Sequence, residues 1–191
     1  MKKFHPDELI EGCRKGNPLA QSELFRQYAP RLLPICYRYA GCRDTADDLL
    51  QDSFIKIFIN IHSFRGEGNF EGWLKTIAIN TCITWVKKNN KMRMVDISVE
   101  HKHFIETDDD EWLWPVTPDE LTEAIASLPE GYRVVLNMFA IEGFSHKEIG
   151  DKLNISESTS RSQYARAKLW LGKKIKSKNV KYQADETSPQ F

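Results

Sequence analysis

The chain has 191 residues, of which 41% are hydrophobic and 28% charged, and this ordinary composition argues against wholesale disorder. No apolar run approaches the roughly 20 residues that span a bilayer, and no apolar stretch follows the basic start at Met1. We therefore expect neither a membrane helix nor a signal peptide, and a cytoplasmic protein.

The net charge of zero at pH 7 hides an uneven distribution along the chain. Residues 1–94 contain 15 basic and 10 acidic residues, a net charge of +5. Residues 95–123 contain 1 basic and 10 acidic residues, a net charge of −9, and residues 124–191 contain 11 and 7, a net charge of +4. Two basic parts therefore flank an acidic connector, so the zero total does not exclude a nucleic-acid partner.

Helical periodicity dominates, and we predict an all-α protein of two small helical domains joined by an acidic flexible linker. The predicted N-terminal domain covers residues 1–92 and the linker residues 93–118, where periodicity is lost and prolines and acidic residues accumulate. The C-terminal domain covers residues 119–176. Residues 177–191 form a polar tail that we expect to be flexible.

The N-terminal domain begins with a predicted short helix over residues 7–15. Asn17, followed by a proline, is the expected cap of a second helix. Pro30 and Pro34 are expected to interrupt or kink this helix before Gly41 ends it.

Asp44 is the expected cap of a long third helix with one apolar stripe. The stripe consists of Leu49, Leu50, Phe54, Ile57, Phe58 and Ile61. Residues 63–69 contain two glycines and predict a loop, after which residues 70–88 return to a helical pattern.

A helix-turn-helix is the most specific local pattern of the C-terminal domain. Ser145 and Glu148 form a capping box that opens a short helix. Gly150 allows close approach of a crossing helix, Asn154 tolerates the left-handed backbone of a tight turn, and Ser156 caps the second helix. We therefore predict that the C-terminal domain contains a helix-turn-helix whose second helix enters the major groove of DNA.

The second helix would present polar and basic side chains to DNA bases and phosphates. The candidate base-reading residues are Ser158, Thr159, Arg161, Ser162, Gln163 and Arg166. The candidate phosphate contacts are Lys168, Lys173, Lys174 and Lys176. A plain helical hairpin with solvated charges is the alternative interpretation of this segment.

Three segments in order resemble sigma factors of the sigma-70 family, in their extracytoplasmic-function group. Residues 47–58 resemble the helix that binds core RNA polymerase, and residues 64–80 are similar to the promoter-melting loop and the helix after it. Residues 127–135 are similar to the lead-in to the C-terminal helix-turn-helix. The resemblance covers residues 5–176, and it implies that the N-terminal domain is sigma region 2 and the C-terminal domain is sigma region 4.

The resemblance implies roles for particular side chains of the N-terminal domain. The implied core-polymerase-binding residues are Asp48, Leu49, Gln51, Asp52 and Phe54; the alternative is a solvated acidic face over a core stripe. The residues implied to capture an unpaired promoter base are Phe64, Arg65 and Asn69. The implied contacts to the promoter strand and its phosphates are Asn80, Thr81, Thr84, Lys87 and Lys88.

Departures from the family pattern occur in the helix-turn-helix itself. Ser160 stands where a valine is common, Gln163 where an arginine is common, and Asn154 where a glycine is frequent. The resemblance therefore implies which positions contact DNA, but it does not imply which promoter sequence they recognise.

The partners implied are core RNA polymerase and promoter DNA, both the duplex upstream element and the melted non-template strand. Exposed basic faces on both domains also predict an anti-sigma factor that sequesters them. The acidic run at residues 108–111 is either a tether or a mimic of nucleic-acid charge inside the polymerase channel.

We expect no enzyme activity, cofactor or metal. No P-loop or G-x-S-x-G motif is present, the pair His101 and His103 is interpreted as part of a solvated linker, and the four cysteines are interpreted as structural. The competing hypothesis is a conventional helix-turn-helix regulator that acts without core polymerase.

Overall fold

The computed structural model describes residues 6–89 and 116–186, and every regular element in these ranges is helical. Residues 90–115, which include most of the predicted linker, lie outside the described residues. The helices of the N-terminal domain are α1 (Pro6–Arg14), α2 (Pro18–Ala40), α3 (Arg43–Asn60), a 3₁₀ turn (Ile61–Ser63) and α4 (Phe70–Asn89). Those of the C-terminal domain are α5 (Pro118–Ala126), α6 (Glu130–Leu136), a π-helical turn (Asn137–Ile141), α7 (His146–Leu153) and α8 (Glu157–Glu186).

Helix α2 begins and ends where the sequence predicts. The side chain of Asn17 accepts a hydrogen bond of 2.9 Å from the amide of Leu19, and Gly41 ends the helix in the left-handed conformation with φ of 78°. The expected interruption does not occur, because the helix is continuous through Pro30 and Pro34. Packing of its buried face against α3 and α4 offsets the backbone hydrogen bonds that the two prolines remove.

Helix α3 starts one position before the predicted cap. Cys42 occupies the cap position without a side-chain hydrogen bond. Asp44 lies in the first turn, where its negative charge interacts favourably with the positive end of the helix dipole. The predicted apolar stripe faces the core: Leu49, Leu50, Phe54, Ile57 and Ile61 are buried. Burial of each such side chain contributes about 1.5–3 kcal/mol, which fixes the face that α3 turns towards α2 and α4.

The C-terminal domain relies on two capping boxes. Thr117 and Glu120 cap α5 reciprocally, and Ser145 and Glu148 cap α7 in the same way. Helix α8 differs from the prediction because it continues to Glu186 rather than ending near residue 176. Among the described residues, no helix is both long enough and apolar enough to cross a bilayer.

The two domains are in contact through the C-terminal end of α2. The guanidinium of Arg133 on α6 donates hydrogen bonds to the carbonyls of Tyr39 and Ala40, at 3.1 and 2.9 Å. The same group also donates to the carbonyls of Ala126 and Leu128 within its own domain. Arg133 is 8% exposed, so one buried cation satisfies carbonyls at the ends of two helices that belong to different domains.

Polar side chains extend this domain contact beside Arg133. Asn137 is fully buried; its amide nitrogen donates to the Arg38 carbonyl at 2.9 Å, and its amide oxygen accepts from Arg38 Nε at 3.2 Å. Glu142 lies 3.4 Å from the Arg38 guanidinium. Burial raises the pKa of Glu142, while the charge of Arg38 opposes that shift.

Candidate functional site

The helix-turn-helix has the geometry that its sequence predicts. Asn154 adopts the left-handed conformation with φ of 58°, and the amide of Ile155 donates to the Gly150 carbonyl at 3.1 Å. A Cβ atom at Gly150 would lie 2.8 Å from the Ile155 carbonyl oxygen, so the turn crosses α7 at a point where only glycine fits. Ser156 accepts a hydrogen bond of 2.9 Å from the Thr159 amide and thereby caps α8.

A buried polar contact that sequence reasoning missed joins α7 to α8. Nδ1 of His146 and Oγ of Ser160 share a hydrogen bond of 2.9 Å, and both residues are buried. The imidazole also stacks on the Phe139 ring, with centroids 4.1 Å apart and planes 9° apart. Burial lowers the pKa of His146, and the nearby charge of Arg161 lowers it further while Glu157 opposes the shift. The serine that departs from the family's valine is the signal that could have predicted this pair.

The predicted base-reading residues of α8 divide by exposure. Ser158, Arg161 and Ser162 are exposed, whereas Thr159, Gln163 and Arg166 are half-buried. Arg161 pairs with Glu157 one turn earlier, and the Ser162 hydroxyl donates to the Thr159 carbonyl at 2.9 Å.

Gln163 lies on the side of α8 that faces α6. Its amide nitrogen would be 3.3 Å from a Cβ atom at Gly131, so the side chain packs close to that helix. This position separates Gln163 from the exposed face formed by Ser158, Arg161 and Ser162.

The predicted polymerase-binding residues of α3 lie on two different faces. Asp48, Gln51 and Asp52 are exposed along one side of the helix. Leu49 and Phe54 are 1% and 3% exposed and belong to the core, where Phe54 contacts the Phe25 ring at 4.6 Å between centroids. In this structure, the two apolar residues therefore support the helix from inside and offer no surface to a partner.

Two apolar side chains continue the exposed face of α3 and were not predicted. Ile55 is 56% exposed and Ile59 71% exposed. Their spacing of four residues from Gln51 and from each other places them on the same side of the helix as the acidic residues. The sequence did contain a signal for this exposed apolar surface, because Ile55 and Ile59 lie outside the predicted apolar stripe of α3.

The three predicted base-capturing residues of the 64–69 loop differ in exposure. Phe64 is 6% exposed and packs against Phe70 and Trp73, with ring centroids 5.0 and 5.5 Å apart, so in this structure it is a core residue and not a free stacking surface. Arg65 is exposed. Asn69 is exposed as well, but its side-chain oxygen accepts a hydrogen bond of 3.0 Å from the Glu71 amide at the start of α4.

The predicted strand-contacting residues of α4 form one exposed stripe with a single exception. Asn80, Thr84, Lys87 and Lys88 are all exposed. Thr81 is 3% exposed; its hydroxyl donates to the Ile77 carbonyl and accepts from Lys56 Nζ at 3.2 Å, so it faces the interior.

Cys13, Cys36 and Cys82 are buried, and burial raises the pKa of the Cys13 thiol to about 11, which keeps it protonated and unreactive at neutral pH. Cys42 is exposed. In residues 6–89 and 116–186, no three His, Cys, Asp or Glu side chains converge in a way that could hold a metal ion. The pair His101 and His103 and the acidic run at residues 108–111 lie outside the described residues.

Comparisons with known families match both helical domains. The model of sigma-70 region 2 matches residues 24–92, and the model of sigma-70 region 4 matches residues 119–171. The first match covers α3, the 64–69 loop and α4. The second covers the helix-turn-helix, including the first half of α8 as far as residue 171.

Curated relatives agree with these matches. The RNA polymerase sigma factor YlaC of Bacillus subtilis is 31% identical over 80% of this chain and 90% of its own. The ECF RNA polymerase sigma factor SigE of Mycolicibacterium smegmatis is 32% identical over 78% of this chain, which spans 59% of that longer relative. The ECF RNA polymerase sigma-E factor of Haemophilus influenzae is 28% identical over 87% of this chain and 93% of its own.

Proposed function

Because the chain belongs to the sigma-70 family, in its extracytoplasmic-function group, we propose that it binds core RNA polymerase, recognises and melts specific promoters, and directs transcription initiation. The observation that carries this function is the order of the two matched regions, with a complete helix-turn-helix in the second. The N-terminal and C-terminal domains then correspond to regions 2 and 4, joined by the acidic linker. The chemistry of RNA synthesis belongs to the polymerase, and this chain contributes binding and positioning.

The exposed face of α3 is the proposed docking surface for core polymerase. It combines Asp48, Gln51 and Asp52 with the apolar Ile55 and Ile59. Side chains that are exposed and apolar next to charged ones are typical of a helix that packs against a partner helix, because the apolar pair supplies buried area and the charges supply orientation. The exposed fractions of Ile55 and Ile59 support this role, since the described residues leave more than half of each residue uncovered.

Two further surfaces are proposed to contact DNA. The N-terminal turns of α8 would read the upstream duplex through its exposed residues, with Arg161 the best candidate to contact guanine. The exposed stripe on α4 would follow the melted strand, with Lys87 and Lys88 at phosphates and Asn80 and Thr84 closer to bases. Arg65 in the 64–69 loop is proposed to help capture an unpaired base, and its exposure supports this role.

An anti-sigma factor is the proposed regulatory partner, since the same basic and apolar faces must be covered when the protein is inactive. The site of action is proposed to be the cytoplasm, where core polymerase is found.

The deciding experiment mixes the purified chain with bacterial core RNA polymerase and measures co-elution, followed by run-off transcription from genomic promoter fragments. We expect stable association and initiation at discrete promoters, and weaker association when Asp48, Gln51 and Asp52 are changed to alanine. An Asp47→Ala variant is the matched control, because Asp47 pairs with Arg43 at 3.0 Å within its own helix. Sequence-specific duplex binding without any association with core polymerase would instead identify a conventional helix-turn-helix regulator.

A further inference from the structure

The 64–69 loop is fixed at its two ends and exposed between them. At its end, the Asn69 side chain caps α4, and the Asn69 carbonyl accepts a hydrogen bond of 3.0 Å from the Trp73 amide. At its start, the Phe64 ring is buried against two other aromatic rings. Gly66 and Gly68 both have positive φ, at 82° and 87°, so the exposed part turns sharply twice. The direction in which this part leaves the domain therefore depends on how its two ends are held.

A third contact holds the start of the loop, and it comes from a helix fifty residues earlier. The Arg14 guanidinium, in the last turn of α1, donates a hydrogen bond from Nη2 to the Phe64 carbonyl. The other terminal nitrogen of Arg14 lies 3.5 Å from a Glu11 carboxylate oxygen, which orients the guanidinium. The Arg14 side chain is 29% exposed, so this charged group is held against the domain rather than extended into solvent.

Helix α1 provides a rigid base for this contact. Leu9, Ile10 and Cys13 are buried in the core of the N-terminal domain, on the face of α1 that packs against α2 and the 3₁₀ turn. Residues 6–14 also precede the segment that the region 2 model matches, which begins at residue 24. The family match therefore assigns no role to α1 or to Arg14.

We propose that Arg14 is a positioning residue for promoter melting: it fixes the Phe64 carbonyl and with it the direction in which Arg65 and the two glycines present the loop to an unpaired base. This inference rests on the proposed function of the loop. The physical reason is preorganisation, because a loop held in its binding geometry loses less conformational freedom when a base enters. Arg14 itself need not touch DNA.

The test uses full-length variants assembled with core polymerase on a promoter fragment that the wild-type holoenzyme transcribes. Arg14→Met keeps the length and the apolar stem of the side chain but removes the donors. We expect unchanged association with core polymerase and about tenfold weaker binding to a pre-melted promoter, the effect of losing one charge-assisted hydrogen bond. Permanganate reactivity of promoter thymines should fall in parallel. Arg14→Lys, which retains a cationic donor, should restore part of the loss.

Lys15→Met is the matched control, since Lys15 also pairs with Glu11, at 3.4 Å, but is 72% exposed and does not contact the loop. A second measurement requires no polymerase: amide hydrogen exchange of residues 65–68 in the free chain should accelerate in Arg14→Met and remain unchanged in Lys15→Met. If Arg14→Met lowers the unfolding temperature sharply, the same two measurements on Arg14→Lys and wild type test the positioning role instead.

The outcomes separate the two proposals. A wild-type chain that neither binds core polymerase nor melts any promoter overturns the proposed function, and the positioning role with it. A wild-type chain that is active, together with an Arg14→Met variant that binds the pre-melted promoter equally well, overturns only the positioning role.

Discussion

At the scale of single residues, the crossing of α7 and α8 depends on two positions that tolerate few side chains. Gly150 lies under the Ile155 carbonyl, and Asn154 has positive φ. Asparagine adopts this conformation at lower cost than most residues, and it stands where the family often has glycine. The departure from the family at Asn154 therefore keeps the turn intact.

Gly150→Ala is predicted to destabilise the helix-turn-helix despite the higher helix propensity of alanine. The new Cβ atom would lie 2.8 Å from a backbone oxygen, which cannot move without opening the turn. The expected loss is about 1–3 kcal/mol in the free energy of unfolding, measured by chemical denaturation. Gly72→Ala on α4 is the control, since its Cβ atom would meet Asn69 at an ordinary 3.7 Å. Equal stability of both variants would contradict the geometry of the turn.

His146 is predicted to make the stability of the C-terminal domain depend on pH. Its pKa is lowered in the folded chain, so the folded state disfavours the protonated imidazole and the unfolded chain takes up the proton more readily. The contribution of neutral His146 is present above its ordinary pKa of about 6.5 and is lost as pH falls below that value. Thermal unfolding between pH 7.5 and 5 should show this decline.

His146→Phe keeps a ring that can stack on Phe139 but has no titrating group, so the difference between this variant and wild type isolates the effect of His146. The variant should lose stability less steeply than wild type as pH falls. Identical pH dependence in the two proteins would assign the decline to other groups.

At the scale of elements, α3 has two faces with opposite roles. One side packs Leu49, Phe54 and Ile57 into the core, and the other exposes Asp48 and Ile59. The sequence pattern predicted the helix and its stripe correctly. The family resemblance, in contrast, added Leu49 and Phe54 to the partner surface because the family motif is continuous, whereas the helical period of 3.6 residues divides that motif between two faces.

Ile59→Gln is predicted to weaken the association with core polymerase without destabilising the chain. Ile59 is 71% exposed, so its replacement costs little in folding but removes apolar area from the proposed docking face. We expect an affinity loss of about fivefold to tenfold in a binding titration, corresponding to roughly 1 kcal/mol or slightly more. Leu19→Gln on α2 is the control, with a similarly exposed leucine at 74%. If both variants bind equally well, the apolar part of the α3 face has no role in docking.

At the scale of the whole molecule, Arg133 connects the two domains. Its hydrogen bonds reach the C-terminal end of α2 from α6, and the guanidinium occupies the space where a Cβ atom of Gly41 would lie, 2.3 Å from Nη1. Gly41 is therefore required both for its left-handed backbone and for the room it leaves to Arg133. The ion pair of Arg38 on α2 with Glu142, just after the π-helical turn, adds a second contact between the two domains.

Arg133→Met is predicted to destabilise the chain by about 3 kcal/mol or more, because four carbonyls lose a buried charged donor. The two domains of the variant should also unfold in separate transitions, whereas we expect a single transition for the wild-type chain. Differential scanning calorimetry measures both effects. Arg43→Met is the control, because Arg43 is 67% exposed and its ion pair with Asp47 lies within α3. A single transition at the wild-type temperature would show that the domain contact contributes nothing to stability.

The sequence by itself determined the helical class, most of the helix ends, the capping box of Ser145 with Glu148 and the turn at Asn154. These features depend on residues within one or two turns of each other, so the local sequence is enough to predict them. The family resemblance further predicted the order of the two regions, and the comparisons confirm that order.

Only the tertiary structure decided which members of a motif are exposed and which distant residues meet. Phe64 is buried because Phe70 and Trp73 cover it, and Arg14 binds its carbonyl across fifty residues. Arg133 likewise finds its partners ninety-four and ninety-three residues away. Burial and long-range hydrogen bonds depend on how complete helices pack together, and no local pattern contains that information.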